Sequence, residues 1–244
     1  KTVLLAACFL IVARLPAAST VEWRGSRPWT GPESWANPLY DWKVENDELV
    51  AVAGPNHTLH HLTHQVTDPA RGFETSVTLR LDAPDRISQP AATWAGFAFG
   101  LQGPMDDYRH RLAGSKQRIT AGLRADGRVF LGTKVSAVTL GGPPADAATL
   151  TLKIAGRQAT LGATRGTASV SVTTEIDPIA ARGNLALAAE SSRKPSDKRG
   201  PIHARFCAWQ LRGDGFSVHP EQTFGPILWS QYTLAKGILK LSAQ

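Results

Sequence analysis

Glu74-Thr75-Ser76-Val77-Thr78-Leu79-Arg80-Leu81, entered through Phe73, alternates without a break. Phe73, Thr75, Val77, Leu79 and Leu81 share one face. A period of two marks a half-buried β-strand, because successive side chains of an extended backbone point to opposite sides. Trp94–Leu101 repeats the pattern, with Ala95, Phe97, Phe99 and Leu101 on one side and Trp94, Gly96, Ala98 and Gly100 on the other. Outward from these two runs, further β-branched or aromatic segments are punctuated by Gly, Pro and Asp. Trp42-Lys43-Val44 and Glu48–Ala53 flank Asn46-Asp47, and Ile119–Leu123 and Val129–Thr133 flank Asp126-Gly127. Both dipeptides are hairpin signals, since they tolerate positive φ. Thr149–Ile154, Gln158–Ala163 and Ala168–Ile176 follow with a turn at Gly156-Arg157, and Leu185–Ala189 and Ala204–Leu211 complete the series. Helical periodicity is nearly absent. Roughly ten or more strands at spacings of about 8–12 residues predict an all-β, antiparallel sandwich or jelly roll.

The 244 residues are 42% hydrophobic and 19% charged, with only 2 Cys, which excludes a disordered chain and a disulfide scaffold. No repeat or second long apolar run appears, so coiled coil, collagen and polytopic membrane protein are excluded too. Residues 1–19 read as a signal peptide: Lys1, an apolar run Thr2–Ala13 too short to span a bilayer, then small residues at Ala17 and Ser19. The expected location is secreted, periplasmic or cell-surface, with no stable membrane span. Leu5-Ala6-Ala7-Cys8 offers a rival lipoprotein reading, but Phe9–Ala13 continues the apolar run past the cysteine. The leader takes Lys1 and Arg14 with it, lowering the net charge from +7 to +5. That mild bias is neither clustered on a helix nor interleaved with aromatics, so no nucleic-acid partner is expected. Cys207, in an apolar alternating stretch, is expected as a buried thiol. The sandwich is expected over residues 20–212 and a linker over 213–226. Ile227–Leu234 and Ile238–Ser242, around Ala235-Lys236-Gly237, read as the first strands of a second β domain over 227–244.

Four histidines, His57, His60, His61 and His64, crowd one short tract. On a helix they would share a face as zinc requires. Strand-like flanks instead place His60 and His64 on one face with Leu62, and His61 on the other with Leu59. No Cys or carboxylate in the tract completes a tetrahedral set, so no metal site is assigned. His60 and His64 stand as an exposed strand edge or groove lining. Asp106-Asp107-Tyr108-Arg109 follows Gly103-Pro104, and its acidic pair, phenol and guanidinium suit sugar hydroxyls, with Trp94 as a stacking face. The competing reading is a loop held by an Asp–Arg pair, with Trp94 covering the outer sheet. Glu45-Asn46-Asp47-Glu48 could supply paired carboxylates for glycoside hydrolysis, but its position favours turn chemistry. Trp23, Trp29, Trp35 and Trp42, with Tyr40, are read as packing residues. Arg193–Gly200 is a basic loop, solvated or anion-binding. Gly-x-Ser-x-Gly, P-loop, His-Glu-x-x-His and Cys-x-x-Cys are absent, and no catalytic residue is assigned.

The strand Gly183-Asn184-Leu185-Ala186-Leu187, followed by Arg205-Phe206-Cys207-Ala208-Trp209, resembles concanavalin A-like lectin/glucanase modules. Asn37-Pro38-Leu39-Tyr40-Asp41-Trp42, Leu62-Thr63-His64-Gln65, Asp106-Asp107-Tyr108-Arg109 and Gly122-Leu123 with Asp126-Gly127-Arg128 resemble the N-terminal module of PhoD-like (alkaline phosphatase D-type) metallophosphatases. So, most specifically, does Phe224-Gly225-Pro226-Ile227-Leu228-Trp229-Ser230-Gln231-Tyr232-Thr233-Leu234, running on to Gln244. The resemblance implies a jelly-roll accessory module without catalytic residues or cofactor of its own. Its partners would be a glycan or phosphorylated surface polymer, and a metal-dependent phosphatase domain downstream in cis. The acidic Ca/Mn cluster of legume-type lectins and the Glu-x-Asp-x-x-Glu strand of glucanases have no counterpart in the sequence. A glycoside hydrolase of the same sandwich class and a ligand-free spacer are the rival functions.

Overall fold

The computed structural model describes residues 18–82, 84–101, 118–192, 200–223 and 230–243. In chain order the strands are β1 (Ala18–Val21), β2 (Ser34–Asn37), β3 (Trp42–Glu45), β4 (Glu48–Val52), β5 (Thr58–Val66), β6 (Phe73–Leu81), β7 (Trp94–Leu101), β8 (Ile119–Arg124) and β9 (Val129–Leu131). They continue as β10 (Lys134–Val135), β11 (Ala148–Ala155), β12 (Gln158–Arg165), β13 (Ala168–Glu175), β14 (Gly183–Glu190), β15 (His203–Arg212), β16 (Phe216–Val218), β17 (Ser230–Ala235) and β18 (Ile238–Ala243). The first sheet runs β13-β12-β11-β6-β15-β4-β3, with β1 added along β15. The second runs β10-β9-β8-β7-β14-β5-β16, with β2 added along β5. Every pairing between strands is antiparallel.

The alternation of β6 is realised residue for residue: Phe73, Thr75, Val77, Leu79 and Leu81 are buried and the residues between them half-buried. Val77, Leu79 and Leu150 of the first sheet join Phe97, Phe99 and Leu187 of the second in one core cluster. Each such side chain contributes roughly 1.5–3 kcal/mol on leaving water, so the inner faces supply the sandwich's stability. The hairpin dipeptides behave as their chemistry requires: Asn46 and Asp47 adopt φ of 54° and 63°, and Gly127 adopts 84°. Strand β15 contains a bulge. Cys207 stands opposite Thr78 but Gln210 opposite Ser76, so Ala208 and Trp209 together face Val77. Ala208 takes φ of 52° there. The extra residue turns both Phe206 and Trp209 into the core, where the indole Nε1 donates to Thr75 Oγ1 at 2.9 Å.

β16 lies in the segment read as a linker, and Phe216 to Val218 pair with Val66 to His64 of β5, so the sandwich extends beyond residue 212. Ala18 and Ser19, at the end of the expected leader, pair with Arg212 and Leu211. Cys207 is half-buried rather than buried, because the bulge leaves it on the outer face, and burial raises its thiol pKa. β17 and β18 pair only with each other, and every residue of the hairpin is exposed.

Candidate functional site

The outer face of the second sheet carries few side chains at its centre. Cross-strand register aligns three rows on that face. Arg124, Trp94 and Glu190 form the first, and Gly122, Gly96, Ala188 and Thr58 the second. Thr120, Ala98, Ala186, His60 and Trp35 form the third. Glycine and alanine in the inner rows leave a furrow in the relief of this face, with a buried floor at Ala98, Ala186 and Ala188, bounded at one end by Trp94 and Phe130 and at the other by His60 and Trp35. The glycines are required by close approach. A Cβ on Gly96 would come within 2.3 Å of the Ala121 carbonyl oxygen, and one on Gly122 within 2.6 Å of the Trp94 ring.

Trp94 therefore packs against Gly122 and meets Phe130 edge-on, with centroids 4.9 Å apart at 81°. Only 8% of the residue remains exposed, so it presents a ring margin rather than an open stacking face. Beside it is a cavity of about 400 Å³, lined by Trp94, Phe130, Arg124, Glu190, Ser191 and Ser192 among others. Arg118, just before β8, places Nη2 3.0 Å from Glu190 Oε1 and 2.9 Å from Asn56 Oδ1. To reach them its side chain must run along the furrow over the alanine rows. Burial raises the Glu190 carboxyl pKa, partly offset by Arg118. On the opposite flank of Trp94, the Arg124 guanidinium lies over the Phe130 ring, 5.0 Å from its centroid.

His57 packs behind this end. Its Nδ1 donates to the Val52 carbonyl at 2.6 Å, so Nε2, 3.4 Å from Asp41 Oδ2, faces a carboxyl whose pKa burial raises.

The histidine tract departs from simple alternation. Gln65 stands opposite Asn184 and His60 opposite Ala186, so residues 61–64 of β5 face the single Leu185. This wide bulge puts His61 and His64 together, stacked at 4.7 Å and 14°, with His61 against Trp209. His60 remains on the furrow face, with Nε2 3.0 Å from Thr58 Oγ1 and its ring 5.2 Å from Trp35. The expectation that His60 and His64 share a face is thus corrected, and neither forms an exposed edge, since both are buried. Burial first, and then the Arg118 charge, lowers His60 to about 3; burial lowers His61 to about 4. His64 is lowered in the same direction for the same reason.

Asp106, Asp107, Tyr108 and Arg109 lie outside the described residues, as do the basic residues 193–199. Glu45 and Glu48 are held by Arg205 at 3.1 and 3.3 Å on the outer face of the first sheet, away from the furrow. Asn56, Arg118, Arg124, Phe130 and Glu190 were not legible as site residues. The only signal was the small-residue side of Trp94–Leu101, which gains meaning once β14 sets its alanines beside it. A larger hollow of about 770 Å³ lies near Trp23 and Asp47, but its Glu22 and Arg24 neutralise each other at 2.6 Å and Trp23 is 3% exposed.

No family model matches the chain, and no curated protein matches it. Solved structures do. The basic winged bean lectin with Tn-antigen is similar at a TM-score of 0.55 and 11% identity, over 83% of this chain and 99% of that one. A Lotus tetragonolobus seed lectin isoform gives 0.54 and 12%, over 85% and 100%. Lectin II from Ulex europaeus gives 0.53 and 10%, over 81% and 98%. At such identities the likeness defines the fold: this is a concanavalin A-like jelly roll. Among the described residues, no group of three or more His, Cys, Asp or Glu able to hold a metal ion occurs.

Proposed function

We propose that the chain is a carbohydrate-binding module that takes saccharide at the Trp94 end of the furrow. The observation that carries this reading is the cavity itself. An aromatic pair, Trp94 and Phe130, stands beside polar groups, Glu190 with Arg118 and Asn56, and the hydroxyls of Ser191 and Ser192. Sugars need that combination: C–H faces pack on aromatic margins while hydroxyls exchange hydrogen bonds with fixed polar groups. The volume falls in the usual range for small-ligand sites. Glycan-array screening of the whole chain, followed by titration, tests it. Glu190→Gln and Ser192→Ala should each weaken binding several-fold, with the thermal melt as a check on folding. Absence of any saccharide binding refutes the reading.

The finer assignment, an exported accessory to a PhoD-like metallophosphatase, is supported by the motifs quoted above. It is also supported by the β17–β18 hairpin, which pairs with neither sheet. Further sequence of the same reading frame without a metallophosphatase signature would overturn it. The glycoside hydrolase alternative requires a second carboxyl facing Glu190 across the sugar, and Glu190 is the sole carboxylate lining the cavity among the described residues.

A further inference from the structure

We propose that the Trp94 cavity selects acidic saccharides, a uronate carboxylate pairing with the Arg124 guanidinium. This rests on the saccharide reading above and adds the charge of the ligand. Two ionisable side chains line the cavity, Arg124 and Glu190. Glu190 is already matched by Arg118, 3.0 Å away. Arg124 has no ion pair among the described residues; its guanidinium is spent on the Phe130 ring alone. A guanidinium lying over a ring keeps its N–H edge free, and that edge is the fork that meets a carboxylate through two parallel hydrogen bonds. Among the described residues the cavity therefore holds one cation without an ion pair, half-buried and lying over the Phe130 ring.

Register sets the rest. Arg124 and Glu190 are the two lateral neighbours of Trp94, so their backbones stand about 10 Å apart across two strand spacings. A hexuronate spans that interval with its acid at Arg124, its hydroxyls at Glu190 and Ser192, and its C–H edge on Trp94 and Phe130. One guanidinium balances one carboxylate. A polyphosphate chain would call for several cations along its backbone, and among the described residues the lining supplies one.

The test titrates the whole chain with oligogalacturonate, oligoguluronate and hyaluronate fragments, each against its carboxyl-reduced counterpart, and with poly(glycerol phosphate). At least one acid form should bind about tenfold or more tighter than its reduced form, and added salt should erode the preference. Arg124→Gln should abolish the preference, bringing the ratio of affinities for acid and reduced forms close to one. Arg124→Lys, which keeps the charge but loses the fork, should retain part of it. Equal affinity for both forms, a preference that survives in Arg124→Gln, or binding of poly(glycerol phosphate) in place of uronates overturns the inference and leaves the saccharide reading standing. Binding of neither form of any oligosaccharide overturns both.

Discussion

Acidification should unfold this protein through its buried histidines. His60 and His61 are both fully inaccessible to solvent, and burial holds them at about 3 and about 4. Above about pH 6.5 these rings are neutral in folded and unfolded chains alike, and their full contribution to stability is present. Below that pH the unfolded chain binds protons that the folded chain cannot. Stability then falls until the folded rings titrate themselves, near the lowered values. Between about pH 6.5 and about pH 5 each ring forfeits about 2 kcal/mol, from 1.36 kcal/mol for each pH unit, or about 4 kcal/mol for the pair. His64 and His203, also lowered by burial, add in the same sense. Asp41 and Glu190, raised by burial, work against it as their carboxyls protonate. Urea unfolding followed by tryptophan fluorescence at about pH 7.5 and about pH 5 measures the difference, which a marginally stable domain registers clearly. His61→Gln should reduce it by about 2 kcal/mol, since one titrating ring is removed. A stability that stays flat between the two pH values, or a difference that His61→Gln leaves whole, refutes the reasoning.

Three further outcomes are expected. Gly96→Ala should cost about 2–3 kcal/mol or prevent folding, because its Cβ would sit 2.3 Å from the Ala121 carbonyl in the sheet's own backbone; a melting temperature equal to wild type would count against the furrow floor. Thr75→Val should cost about 1–3 kcal/mol by stranding the buried Trp209 Nε1, read as a shifted urea midpoint with unchanged slope. Removing residues 230–243 should leave the sandwich's unfolding within about 0.5 kcal/mol, since every residue of that hairpin is exposed and pairs with neither sheet; a larger loss would show that it docks.

The sandwich was legible because its signals are local. Alternation in Phe73–Leu81 gives the pleat, and Asn46-Asp47 and Asp126-Gly127 give the hairpins, so strand identity follows from residues within one turn of each other. What alternation does not carry is the inserted residue. Ala208 looks like one more small apolar position, yet its bulge brings Trp209 to the same side as Phe206, three residues back. The histidine tract fails for the same reason. Four residues against Leu185 break the period of two, and His64, placed by parity beside His60, ends stacked on His61.

The site is harder still to read, because it is made by register between strands far apart in sequence. Arg124, Trp94 and Glu190 become neighbours only when β8, β7 and β14 are laid side by side, and nothing in the single segments announces it. The sequence offers Trp94 either as a stacking face or as cover for the outer sheet. Its real contribution depends on Gly122, which has no side chain and so lets the ring pack against it. The same absence of side chains at Gly96, Ala98, Ala186 and Ala188 creates the furrow that Arg118 crosses to reach Glu190. A furrow made this way has its chemistry at its edges, where side chains resume. Among the described residues the two flanks of Trp94 differ: Glu190 is paired with Arg118 on one side, and Arg124 has no ion pair on the other. If that asymmetry sets the proposed preference for an acidic saccharide, exchanging the two residues by Arg124→Glu with Glu190→Arg should abolish the difference in titrated affinity between acid and carboxyl-reduced forms even though the net charge is unchanged.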